Sequence, residues 1–302
     1  MKFSRYGIHE WGLMIACAII WSGSFILMKK GLTAYTPRQV ACMRIAFTML
    51  IFLPFLPSAF RTLRKKDWLP LVSVGLLGNT IPPFLFTAAQ TQLNSATAGI
   101  LNSLTPLFTL LMGLLFFGFS FNRNKLMGVL MGLLGAALLI VHTAPAGTSG
   151  NYFYGIFIIV ATMCYGTSAN IVKTYCQHIP PVLITTVSFC TWGILALTYL
   201  LSSDIFVRFQ TQPTALMALG SVAILSIMGT AIATLLFYRL TQRTDALFSS
   251  TVTYLMPIMA VWWGILDGEN VDWTYLVGIL MILLGVYLVQ KPTRALKQQT
   301  AG

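Results

Sequence analysis

Apolar residues run through this sequence in blocks of roughly 17–25, the length a helix needs to cross a hydrocarbon layer about 30 Å thick. No water reaches backbone groups in such a layer, so a crossing segment must satisfy its own hydrogen bonds, as a helix does. Ten blocks can be drawn: Trp11–Met28, Pro37–Leu56, Trp68–Thr87, Ala96–Phe119, Leu126–Val141, Gly155–Tyr175, Pro181–Leu201, Ala215–Leu240, Ala246–Leu266 and Trp273–Gln290. Of the 302 residues, 57% are hydrophobic and 9% charged, against about 25% charged in a soluble domain. The expected fold is an all-α integral membrane protein of ten transmembrane helices. The first block follows a basic start, as in a signal peptide, but it is as long as a full span and lacks a small-x-small cleavage site, so it reads as a retained helix.

The net charge is +12. In a soluble chain that excess would suggest nucleic acid as a partner; here the basic residues sit in short loops between apolar blocks. With the N-terminus inside, the inner segments hold Lys2, Arg5, Arg61, Arg64, Lys65, Lys66, Arg123, Lys125, Lys173, Arg239, Arg243, Lys291, Arg294 and Lys297. The outer segments hold only Lys29, Lys30, Arg38 and Arg208, while the acids Asp267, Glu269 and Asp272 share one outer loop. This asymmetry predicts N- and C-termini in the cytoplasm. The expected partners are the lipid bilayer and a small-molecule substrate, with no nucleic acid.

Chemistry-bearing clusters are not evident. Cys17, Cys42, Cys164, Cys176 and Cys190 lie in or at the ends of apolar blocks without a C-x-x-C pair, which reads as packing rather than a disulfide or zinc framework. No Asp or Glu falls deep in a block, and His9, His142 and His178 lie at ends or in loops. A proton relay through the core is hard to build from these residues. The P-loop pattern is missing, so ATP does not drive the protein directly. Neither an enzyme nor a cofactor is expected.

The chain repeats itself. Gly78-Asn79-Thr80-Ile81 matches Gly229-Thr230-Ala231-Ile232 at an offset of 151, as do Leu85-Phe86 with Leu236-Phe237 and Leu104-Thr105-Pro106 with Leu255-Met256-Pro257. Gly113 and Gly264 share that offset, Gly128 and Gly135 match Gly278 and Gly285 at 150, and Trp21 and Lys29 match Tyr165 and Lys173 at 144. The halves are residues 1–145 and 146–302, five spans each. An odd number of spans starts the second half from the opposite face, so the two five-helix repeats are inverted. Inverted repeats suit alternating access, because each half can take the other's conformation.

Ile20-Trp21-Ser22-Gly23-Ser24-Phe25, Pro37 and Arg44, Ser95-Ala96 and Leu104-Thr105-Pro106-Leu107 mark the first half. Gly229-Thr230-Ala231, Tyr238-Arg239-Leu240, Tyr254-Leu255-Met256-Pro257 and Gly278 through Gly285-Val286-Tyr287-Leu288 mark the second. In order and spacing these resemble the EamA-type exporters of the drug/metabolite transporter (DMT) superfamily. The family often closes its fourth and ninth spans with Gly-Glu; here Asp267-Gly268-Glu269 supplies one, but Gly118 is followed by Phe119. The resemblance implies a multi-pass carrier of the inner membrane exporting metabolites, with aromatic or other neutral amino acids as first expectation; the missing core carboxylates and histidines favour facilitated diffusion or exchange as mechanism. A proton-coupled drug or quaternary-cation efflux carrier is the alternative. It also implies that the fifth and tenth spans lie peripherally. Their Gly128/Gly135 and Gly278/Gly285 faces are suited to close packing, for instance between the subunits of a homodimer.

Prolines inside spans free backbone carbonyls and bend helices, which a membrane tolerates beside a cavity. Pro82, Pro83, Pro106 and Pro257 therefore mark the expected cavity. Polar residues in the core cost energy unless paired or wet, which nominates Asn79, Asn102, Ser168, Asn170, Thr230 and Thr253 for the substrate path or for bonds between helices. Trp21, Tyr165 and Tyr254 lie deep enough to line a pocket or pack a core. Arg44, about 10 Å inside its span, either pairs with a substrate carboxylate or serves a structural role.

Overall fold

A computed structural model describes residues 6–93, 95–143, 152–266 and 273–290, and among these every regular element is a helix. In chain order these are α1 (Ile8–Gly31), α2 (Pro37–Thr62), α3 (Lys65–Ala89), α4 (Ser95–Asn102), α5 (Thr105–Phe116), α6 (Arg123–Thr143), α7 (Gly155–Tyr175), α8 (Pro181–Ser202), α9 (Ala215–Arg243), α10 (Ala246–Ser250), α11 (Val252–Leu266) and α12 (Trp273–Gln290). A short helix, Ile205–Thr211, links α8 to α9. Six helices, α1, α2, α3, α7, α8 and α9, are long and apolar enough to cross a membrane, and Thr105–Phe116, Ala246–Met259 and Leu276–Val289 are shorter apolar stretches. The acidic loop of Asp267, Glu269 and Asp272 lies outside the described residues, as do Lys2, Arg5, Lys291, Arg294 and Lys297.

Local chemistry sets several helix starts. Thr36 caps α2 by accepting from the Gln39 amide at 3.3 Å, Gln39 accepts from the Thr36 amide at 3.0 Å, and Pro37 fills the first turn, where no N–H is needed. Asp245 caps α10 by accepting from the Phe248 amide at 2.8 Å. Leu115, Ile194, Leu195 and Leu216 are all more than 55% exposed. Such a surface is unfavourable in water and is what lipid would cover.

α6 and α12 lie along each other. A Cβ on Gly128 would sit 2.7 Å from the Gly285 carbonyl, and one on Gly135 would sit 2.8 Å from that of Gly278. The glycine faces suited to close packing meet inside one chain, where the missing side chains let two backbones touch.

Regular α-helix fails at a few places. α1 is interrupted at Gly23, and the predicted fourth span is two helices parted at Ser103–Leu104. The predicted ninth span parts at Thr251. α3 and α9 each widen to a π-helical stretch, Gly75–Thr80 and Leu225–Ile232. In α3 the cause is legible: Pro82 and Pro83 lack the N–H groups that would bond back to Gly78 and Asn79. The Thr80 hydroxyl reaches the Gly75 carbonyl five residues back at 2.9 Å, and Thr230 reaches Leu225 likewise at 3.1 Å.

Candidate substrate cavity

The breaks surround an internal cavity of about 110 Å³. α1 contributes Trp21, Ser24, Phe25 and Met28, spaced three and four apart on one helical face, and α2 contributes Arg44. From α3 come Gly78, Asn79, Pro83 and Phe86, and from the α4–α5 break Asn102 and Thr105. α7 supplies Tyr165, Ser168 and Ala169; α9 supplies Thr230, Thr234, Phe237 and Tyr238; α10 and α11 supply Ser250, Val252, Thr253 and Met256. None of these lining residues comes from α6, α8 or α12.

Much of the wall is paired at the sequence offsets. At 144 the pairs are Trp21 with Tyr165, Ser24 with Ser168, and Phe25 with Ala169; at 151 they are Asn79 with Thr230, Pro83 with Thr234, Phe86 with Phe237, Asn102 with Thr253, and Thr105 with Met256. Two crossings follow the same logic: Ser24 of α1 lies against Gly229 of α9, and Ser168 of α7 against Gly78 of α3.

Hydrogen bonds fix the polar wall. The Trp21 indole N–H donates to the Gly229 carbonyl at 2.8 Å, and its ring lies 5.3 Å from Phe237. Tyr165 does not face Trp21 as a stacking partner; it continues a run of rings, 6.0 Å from Phe86, itself 5.9 Å from Phe25. Asn79 donates through Nδ2 to the Tyr238 hydroxyl at 2.7 Å. Arg44 donates through Nε to Thr230 Oγ1 at 2.6 Å. Asn102 Nδ2 sits 3.8 Å from the Met256 sulfur, and Thr253 bonds back to the Ser250 carbonyl at 3.0 Å. The buried Ser24 Oγ has no hydrogen-bond partner among the described residues.

Of the residues nominated from sequence, Trp21, Arg44, Asn79, Pro83, Asn102, Tyr165, Ser168, Thr230 and Thr253 line the cavity. The others are corrections. Asn170 turns away and donates to the Thr109 carbonyl at 2.9 Å, tying α7 to α5. Tyr254 is fully buried, packs its ring on Gly132, and donates to the Val129 carbonyl at 2.8 Å. Pro82, Pro106 and Pro257 do not face the cavity; Pro106 occupies the first turn of α5, where proline suits a helix start better than a kink. Ser24, Phe25, Met28, Phe86, Phe237 and Tyr238 were missed, although helical spacing from Trp21, Asn79 and Thr230 reaches each of them.

Near the N-terminal end of α1, several contacts bridge the chain's two halves. Asp67 meets His178 at 3.0 Å, Arg243 meets Glu10 at 3.5 Å, and Tyr6 donates to Asp245 at 2.8 Å. At the other end, Gln39 donates to Asp204 at 2.7 Å and Tyr35 to the Ala215 carbonyl at 3.2 Å. The cavity lies between the two sets.

A sequence model of the EamA-like transporter family matches residues 11–141 and, a second time, residues 153–290. The chain belongs to the EamA-like transporter family. Among its relatives, a probable amino-acid metabolite efflux pump of Salmonella typhimurium (strain LT2) is 25% identical, over 91% of this chain and 93% of that protein. The uncharacterized inner membrane transporter YedA of Escherichia coli (strain K12) is 24% identical, over 95% of this chain and 94% of its own length. A crystal structure that is 17% identical aligns with a TM-score of 0.69, covering 97% of this chain and 99% of that one, and shares its fold. As an EamA-like transporter, the chain is a multi-pass membrane protein.

Proposed function

We propose that this EamA-like transporter exports small metabolites, amino acids first among them, across the inner membrane by alternating access. Ten spans form two inverted five-helix repeats, residues 1–145 and 146–302, with both termini cytoplasmic. The observation that carries the reading is the paired wall of the cavity, in which residues at offsets of 144 and 151 face one space. A site shared by two like halves is what a carrier needs if one half is to adopt the other's conformation. The twofold family match supports the division. The Salmonella relative, named for amino-acid metabolite efflux, supports the substrate class, and the Escherichia coli relative supports the inner membrane.

The energetics favour facilitated diffusion or exchange. Among the described residues no carboxylate or histidine lines the cavity, so none of them carries a proton through the core. A quaternary-cation carrier is disfavoured for the same reason, since among the described residues the one charged side chain lining the cavity is the cation Arg44.

The test is counterflow in proteoliposomes with labelled aromatic and aliphatic amino acids, nucleosides, choline and sugars, comparing the natural chain with Asn102→Ala. Uptake of an amino acid without an imposed proton gradient, weakened in the variant, is the expected result. Uptake that requires a proton gradient would sink the uncoupled mechanism, and uptake of choline alone would sink the substrate class.

A further inference from the structure

We infer that Arg44 receives the anionic group of the transported molecule, so that a carboxylate is required of the substrate and an amine is dispensable. This rests on the reading of the cavity as the substrate site.

Arg44 interrupts the pairing of the wall. Its neighbours there are neutral, and α8, which follows α7 as α2 follows α1, contributes none of the lining residues. Its Nε is held by Thr230 at 2.6 Å, while its two Nη groups have no hydrogen-bond acceptor among the described residues. The four carboxylates of the described residues are engaged elsewhere: Glu10 with Arg243, Asp67 with His178, Asp204 with Arg208 and Asp245 with Tyr6. A guanidinium keeps its charge at any physiological pH, and an uncompensated charge inside a membrane protein is costly. Such residues face a partner or a watery path, and an anionic group on the solute supplies that partner.

The local geometry prepares the guanidinium for that partner. The Thr230 hydroxyl donates to the Leu225 carbonyl five residues back at 3.1 Å, a reach that the π-helical stretch provides. Its proton is thereby committed, leaving an oxygen lone pair for Arg44 Nε. With Nε fixed, the Nη edge remains as a planar fork, and such a fork matches a carboxylate through two parallel bonds. Thr230 is therefore a positioning residue. The opposite requirement has no counterpart: among the described residues no carboxylate lines the cavity to receive an ammonium group. The remaining wall includes Trp21, Phe25, Phe86, Tyr165 and Phe237, which suits an aromatic or branched apolar body. The ligand class is an organic acid with such a body; amino acids qualify through their carboxylates.

The experiment is equilibrium binding to the purified full chain, by calorimetry and ligand-induced thermal stabilisation, with two matched series. These are 3-phenyllactate, phenylalanine and phenylalaninamide, and 2-hydroxyisocaproate, leucine and leucinamide. In at least one series the hydroxy acid and the amino acid are expected to bind and the amide to fail. Arg44→Gln should weaken the acids by roughly 10- to 100-fold and abolish the preference for acid over amide. Thr230→Val, which keeps the charge and frees Nε, should weaken the acids while retaining their order over the amide. Circular dichroism and size-exclusion profiles identify variants that fold. An amide that binds as well as its acid, or an acid preference that survives in folded Arg44→Gln, would overturn the inference and leave the carrier intact. If no member of either series binds the natural chain, the amino-acid reading falls and this inference with it.

Discussion

Ser168 of α7 packs directly on Gly78 of α3, and a Cβ built on Gly78 would collide with the serine Oγ. The related crossing is nearly as close, with a Cβ on Gly229 lying 2.8 Å from Ser24 Oγ. At both places a helix of one half approaches a π-widened helix of the other, and glycine is the residue that permits the approach.

Gly78→Ala should accordingly destabilise the protein by about 1–3 kcal/mol, the usual cost of overpacking a tight contact. Ser168→Ala in the same chain should recover part of the loss, because the colliding oxygen is gone and the nearest remaining neighbours, Ser168 Cβ and the Tyr238 hydroxyl, lie at 3.2 and 3.5 Å. The thermal midpoints of the two single variants and the double variant check this. Additive losses would mean that the two residues do not meet as described.

Tyr254→Phe separates anchoring from binding. The hydroxyl bridges α11 to α6 by its bond to the Val129 carbonyl, outside the cavity. Its removal should cost about 1 kcal/mol and lower the thermal midpoint without altering the acid-to-amide preference. A changed preference, read from the same binding series, would return Tyr254 to the substrate path.

Tyr254 and Asn170 also show what the sequence carried. Apolar block length located the long helices but not the short Ile205–Thr211 helix or the breaks that divide the fourth and ninth blocks, and the offsets of 144 and 151 aligned much of the cavity wall, because both signals are written in residue type and spacing. Facing was harder to read. A buried membrane helix is apolar all round, so a polar residue in it announces burial and not direction. Tyr254 follows Thr253 by one residue, about 100° round the helix, and Asn170 follows Ser168 by two; each faces a different neighbour from that nearby cavity residue. The break at Thr251 has no proline or glycine beside it; there the Ser249, Ser250 and Thr251 hydroxyls each donate to the carbonyl three residues back, at 3.1, 2.8 and 2.6 Å, in competition with the helix's own bonding. The π-helical stretch of α9, unlike that of α3, contains and precedes no proline, so only the Thr230 hydroxyl and its Arg44 partner mark it.

The charge on Arg44 has a consequence for the energetics of transport. Over a complete cycle the fixed guanidinium returns to its starting place, so the net charge moved is that of the solute. A monovalent organic acid leaving a negative interior then gains about 2.3 kcal/mol per 100 mV, close to fifty-fold in its equilibrium ratio at 1.4 kcal/mol per tenfold. An uncoupled carrier of such acids would export against a gradient with no proton relay. Proteoliposomes loaded with 3-phenyllactate, with valinomycin and a potassium gradient setting the interior negative, should release it faster than at zero potential, once leakage from protein-free vesicles is subtracted. Phenylalanine, neutral overall, should not respond. Release of the acid that ignores the potential would mean that a compensating cation travels with it, and facilitated export of the bare anion would have to be abandoned.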